Sequence, residues 1–86
     1  MINAYFDYAP VGESIFVLEL PEEEPRETNL HIQDPASLIE AVTTFIQVNG
    51  VDHLYCNAPA MGLVDKMKEY LQTKYNYTKC EFAQYS

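Results

Sequence analysis

Asp7 closes one stretch of alternating apolar residues, and Asn57 closes another about fifty residues later. If their strands are parallel neighbours, the two meet at the carboxyl ends of those strands, where open α/β sheets usually place their sites. The bland alternative gives Asp7 the hydrogen bonds of a turn and makes Asn57 the start of a helix. His31 and His53 are the two histidines, and a shared metal would need them within one coordination sphere. Of the thiols, Cys56 sits just before a helix start, where a thiolate is stabilised, so it is the one to test as a nucleophile. Buried free thiols are the commoner use of such residues, and Cys80 fits that role as well. Gly12, Gly50 and Gly62 stand alone and build no phosphate loop. The Asn57–Gly62 stretch offers its backbone to a small ligand no better than any turn between strand and helix.

Five strand-like and two helix-like segments must position these groups. Ile2–Tyr8 alternates Ile2, Ala4, Phe6 and Tyr8 against Asn3, Tyr5 and Asp7. Ser14–Leu20 is rich in branched and aromatic residues and predicts a second strand. Pro21–Glu27 is a loop, since its prolines and glutamates offer neither core nor strand donors. Thr28–Ile32 is a short third strand. Asp34 then caps a helix with Pro35 at its first position, an apolar face of Leu38, Ile39, Val42, Phe45 and Ile46, and a stop at Asn49-Gly50. Val51–Cys56 is a fourth strand. A second helix begins at Pro59, its stripe being Leu63, Val64, Met67, Tyr70 and Leu71. Tyr77–Tyr85 is the last strand, with Cys80 and Phe82 on its apolar face.

The order is β-β-β-α-β-α-β, an α/β domain on the α+β border. Short connections favour an antiparallel meander, and the helices act as right-handed crossovers into parallel strands. This order, with Asp7 ending the first strand and Asn57 the fourth, resembles the ribonuclease H-like fold over nearly the whole chain. The resemblance rests on the order of elements, and it implies a mixed sheet ordered 3-2-1-4-5 with both helices on one face. A ferredoxin-like split sandwich is the runner-up. Enzymes of the ribonuclease H-like kind hold two metal ions with acids at the ends of strands one and four and a glutamate from the first helix. Asp7 matches the first of these. Asn57 stands where the second acid belongs and has no charge. Glu40 is the one acid in the first helix after its cap, and it lies roughly 160° from the centre of the apolar stripe, toward solvent. One match in three does not make a two-metal site, so no metal or cofactor is expected. In that sheet order His31 and His53 lie roughly 14 Å apart, too far to share an ion.

With both helices on one face, the chain supplies nothing to cover the other. That face would carry Asn3, Tyr5, Asp7, Ile15, Val17, Glu19, His31, His53, Tyr55, Glu81, Ala83 and Tyr85. Tyr5, Ile15, Val17, Tyr55 and Tyr85 form an apolar group within it, the composition of an interface.

Charge adds a direction. Residues 1–43 hold nine acids against Arg26 alone, whereas residues 44–86 hold four acids against four lysines, so the net charge of −8 belongs to the first half. Glu13, Glu19, Glu22, Glu23, Glu24 and Glu27 gather on one hairpin region and would steer a basic surface toward it. The acidity opposes direct contact with nucleic acid or anionic lipid. With 48% apolar residues the 86-residue chain is one globular domain, 1–86, made of an acidic meander (1–33) and an α-β-α-β half (34–86). There is no apolar run long enough for a membrane span, and the cysteine usage and N-terminus suggest a cytoplasmic protein. The function expected from these features is a small acidic, non-enzymatic protein-binding module. It would dock on a partner with a basic surface, such as a nucleic-acid-binding protein, and dimerise through the open sheet face. The alternatives are a minimal or degenerate metal-dependent nuclease or phosphotransferase of ribonuclease H-like type, and a structural subunit of a homo-oligomer.

Overall fold

The computed structural model describes residues 1–85. Five strands and three helices follow one another as β1 (Asn3–Asp7), β2 (Ser14–Glu19), β3 (Arg26–Leu30), α1 (Pro35–Asn49), β4 (His53–Cys56), α2 (Ala58–Met61), α3 (Val64–Tyr75) and β5 (Glu81–Gln84). The sheet order is β3-β2-β1-β4-β5, with β1–β2 and β2–β3 antiparallel and β1–β4 and β4–β5 parallel. The fold class is therefore the one expected.

The alternation of apolar side chains decides which face is packed. Ala4, Phe6, Phe16, Leu18, Leu54 and Cys56 are buried beneath Leu38, Val42, Ile46, Met67 and Leu71 of the helices. Phe45 reaches Phe16 across this layer, with ring centroids 5.2 Å apart. Asp34 caps α1 as predicted, its Oδ2 accepting the Ser37 N–H at 3.0 Å, with Pro35 in the first turn. Gly50 closes that helix in the left-handed conformation at φ 65°, which a side chain makes costly.

Three boundaries differ from those predicted. The β2–β3 turn is tighter than its prolines suggest, because Glu22 takes a left-handed φ of 62° and Glu23 N–H reaches Leu20 O at 3.3 Å. Strand β3 therefore starts at Arg26 and ends at Leu30, leaving His31 beyond it. The second helix is broken at Gly62-Leu63, where bonds from Gly62 to Pro59 and from Leu63 to Ala60 tighten the chain between α2 and α3. Residues 77–80 are not strand. There Tyr77 donates its hydroxyl to Val51 O at 2.7 Å, and Lys79 pairs with Asp52 at 3.2 Å, so side chains rather than a ladder hold the segment.

Register arranges the uncovered face in rungs across the sheet. Glu19, Asn3, His53 and Glu81 form one rung. The next holds Glu27, Val17, Tyr5, Tyr55 and Ala83. The third begins with Asn29, Ile15 and Asp7. His31, expected on this face, lies outside the ladder.

Candidate functional site

Asp7 and Asn57 do meet at the carboxyl ends of β1 and β4. The chain leaves β4 through a hydrogen bond from Asn57 N–H to Phe6 O at 3.2 Å, which sets Asn57 beside the residues that follow Phe6. Its side chain makes three of the four hydrogen bonds open to it. Oδ1 accepts the N–H of Tyr8 at 3.1 Å and that of Ala60 at 3.0 Å, while Nδ2 donates to Tyr8 O at 3.1 Å. Asn57 thus starts α2 and ties it to β1, and no lone pair of Oδ1 is left for a ligand.

Asp7 is different. Its Oδ1 is buried and has no hydrogen-bond partner. The turn bond expected of it is made by Ser14 instead, whose Oγ accepts the Ala9 N–H at 3.0 Å. A buried, unpaired carboxylate oxygen is costly and marks a group with unused binding capacity. Glu40 is exposed on α1, and its charge raises the affinity of Lys74 on α3 for its proton, after the larger effect of the Tyr70 hydroxyl. It takes no part in the Asp7 end of the sheet. Among the described residues no three His, Cys, Asp or Glu side chains converge to hold a metal ion. The donor set does not fit a two-metal centre.

The other sequence candidates separate. His31 faces Glu13 at 3.6 Å, and His53 faces Glu81 at 3.1 Å, so each imidazole has its own carboxylate. Cys56 is buried, and burial pushes its thiol up to about 11; this is a core thiol and not a nucleophile. Cys80 precedes β5 instead of lying on its apolar face, and burial, with a smaller contribution from Cys56, pushes it up to about 12. Glu22, Glu23 and Glu24 are exposed, and Glu23 pairs with Arg26 at 3.0 Å.

The five expected face residues divide the same way. Tyr5 stacks on Tyr55 with centroids 5.3 Å apart, and Tyr85 meets Tyr5 edge-on at 6.0 Å. Ile15 and Val17 lie half-buried on β2 on the same face. Burial first, then the neighbouring Glu19 carboxylate, raises the Tyr5 phenol above its ordinary value. Sequence reasoning missed the pairing of Asn3 with His53, whose Oδ1 and Nδ1 are also buried without partners. The parallel register of β1 and β4, had it been set to the residue, would have shown it. It missed as well that Asp52 accepts the Ile2 N–H at 2.8 Å and so fastens the start of β1 to β4.

No family model matches the chain, and no curated protein matches it. Two solved structures do. One is a point-mutant nuclease domain of the large terminase subunit gp2 of bacterial virus Sf6, with manganese and beta-thujaplicinol; it is 13% identical over 99% of this chain and 37% of that one, with a TM-score of 0.77. The other is the nuclease domain of the same subunit, 14% identical over 98% of this chain and 36% of that one, also at 0.77. The chain thus spans little more than a third of the length of each. The expectation of a non-enzymatic binding module is corrected by these matches, since over nearly its own whole length the chain resembles parts of nuclease domains, and the nuclease alternative fits them better. The small α/β domain of this chain has the ribonuclease H-like fold.

Proposed function

We propose that this chain is a pared-down nuclease or phosphotransferase domain of ribonuclease H-like type, with its acidic set reduced to Asp7. The observation that carries the reading is the unpaired Oδ1 of Asp7 at the carboxyl end of the central strand. It is supported by a likeness over nearly the whole chain to two nuclease domains. In such a site Asp7 would be the group that accepts a proton from an attacking water. Asn57 is a positioning residue, holding Tyr8 and the start of α2 against the end of β1. The reading replaces the expectation, drawn from charge, that the chain does not contact nucleic acid. The acidic meander still opposes phosphates, so activity should be weak and should improve as salt screens the repulsion.

The test is hydrolysis of single- and double-stranded DNA and RNA by the purified protein, with magnesium, with manganese and with chelator. Cleavage that Asp7→Asn reduces roughly 100-fold or more supports the reading. Equal cleavage by the variant, or none on any substrate, overturns it.

A further inference from the structure

The open sheet face carries a feature that phosphoryl transfer does not use. Tyr5, Tyr55 and Tyr85 form a contiguous aromatic platform, and the His53 ring continues it, lying nearly parallel to Tyr55 (16°) at 6.3 Å. Around it, by register, stand Glu19, Glu27 and Glu81, with Asp7 on the far rung. No lysine or arginine occupies a described strand position on this face. Arg26 pairs with Leu18 and so belongs to the opposite, helix-covered side. The lysines lie on α3 and in the segment before β5.

We infer that this face is a docking surface for an arginine-bearing segment of a partner polypeptide, with guanidinium groups stacked on Tyr5 and Tyr55 and paired with Glu19, Glu27 or Glu81. The planar guanidinium alone combines a flat, weakly hydrated face for tyrosine with a fork of donors for a carboxylate. Glu19 lies opposite Asn3 and so stands diagonally from Tyr5 on the same face, which places an aromatic face and a carboxylate side by side. Around the tyrosine rung a phosphate would meet Glu19, Glu27 and Glu81, which disfavours nucleic acid on the platform itself; a substrate phosphate at Asp7 would lie at the carboxyl end of the sheet instead. A second copy of this chain is also disfavoured, because a face-to-face pair would set the same carboxylates against one another. The inference stands on the face itself and does not depend on whether Asp7 supports catalysis.

Octa-arginine and octa-lysine are the probes, titrated into the labelled protein at low salt with amide and tyrosine ring signals recorded. Octa-arginine should shift Tyr5, Tyr55, Tyr85 and His53 and bind more tightly than octa-lysine. Tyr55→Ala should weaken it roughly 3- to 5-fold, and Tyr85→Ala, at the end of the edge strand, should do the same if Tyr55→Ala does not fold. Repeated at about 0.15 M salt, where the Debye length is about 8 Å, replacing Glu22, Glu23 and Glu24 together by glutamine should leave the affinity within about twofold. Shifts confined to the Glu22–Glu24 loop, equal affinity for the two peptides, or no binding overturns the inference. So does light scattering that shows the face taken up by a second copy of the chain.

Discussion

Asn57 grips Tyr8 from both sides, its Oδ1 taking the Tyr8 N–H and its Nδ2 giving a hydrogen to the Tyr8 carbonyl, each at 3.1 Å. This amide-to-backbone pair mimics one more step of the β1–β4 ladder. It carries the ladder past Phe6, where the regular pairing ends.

Asn57→Ala removes these two bonds and the cap on Ala60, and should cost about 2 to 3 kcal/mol at roughly 1 kcal/mol each. Asn57→Asp is the more informative variant, because it restores an acid beside Asp7. It also sets a carboxylate oxygen against the Tyr8 carbonyl and a second charge near the first. Urea denaturation should therefore show loss of stability at neutral pH, with partial recovery as pH falls and the new carboxyl is protonated. A variant as stable as the parent would show that the Nδ2 bond contributes nothing.

Asp52 predicts behaviour in acid. The Ile2 N–H, and after it Lys79, hold its carboxyl below the ordinary 3.8. A depressed folded value adds stability above the unfolded value and loses it as pH falls through the folded one. The protein should weaken below about pH 4, and Asp52→Asn should flatten that part of the curve. Thermal melts between neutral pH and about pH 2.5 make the comparison. An unchanged slope in the variant would assign the acid sensitivity elsewhere.

The thiols predict behaviour in base. Cys56 is raised from 9.0 to about 11 by burial, so the folded state favours the neutral thiol. The stability this represents is intact below 9.0 and is lost progressively as pH rises toward about 11. At pH near 8, an aromatic disulfide reagent should react slowly with both cysteines in the folded protein and quickly in denaturant. Rapid reaction of Cys56 under native conditions would mean that the helical layer opens easily.

Gly50 offers a backbone test. An added Cβ would have only Lys79 Nζ near it, at 3.7 Å, so space is available and the φ of 65° is the obstacle. Gly50→Ala should cost about 1 kcal/mol, and Gly50→Asn less, since asparagine tolerates this conformation. Equal losses for the two would point to the Lys79 contact instead.

The architecture was legible because alternation and helical periodicity were clear: burial follows the pattern residue by residue in Asn3–Asp7 and Ser14–Glu19, and in Pro35–Asn49 for Leu38, Ile39, Val42 and Ile46, although Thr43 is buried as well. The ends were less so. Glu22 adopts a conformation that favours glycine, and Tyr77 and Lys79 anchor through side chains in a segment whose composition suits a strand. Both are tertiary effects that local propensity does not encode. At the site, the placement of Asp7 and Asn57 followed from topology, and the capping role of Asn57 from the proline two residues on. That Asp7 lacks a partner did not follow, because it depends on Ser14 taking the turn bond.

The central strand has a further consequence for how the chain folds. β1 meets β2 through a short hairpin, but it meets β4 across separations of about fifty residues, as in the Ile2–Asp52 bond. The meander can form from local contacts, whereas the parallel seam requires closure of a long loop that includes all of α1. The hairpins concentrate like charges on one small sheet before the neutral half arrives to cover it. Closure of the β1–β4 seam is then the slow step, and salt should quicken folding more than it slows unfolding.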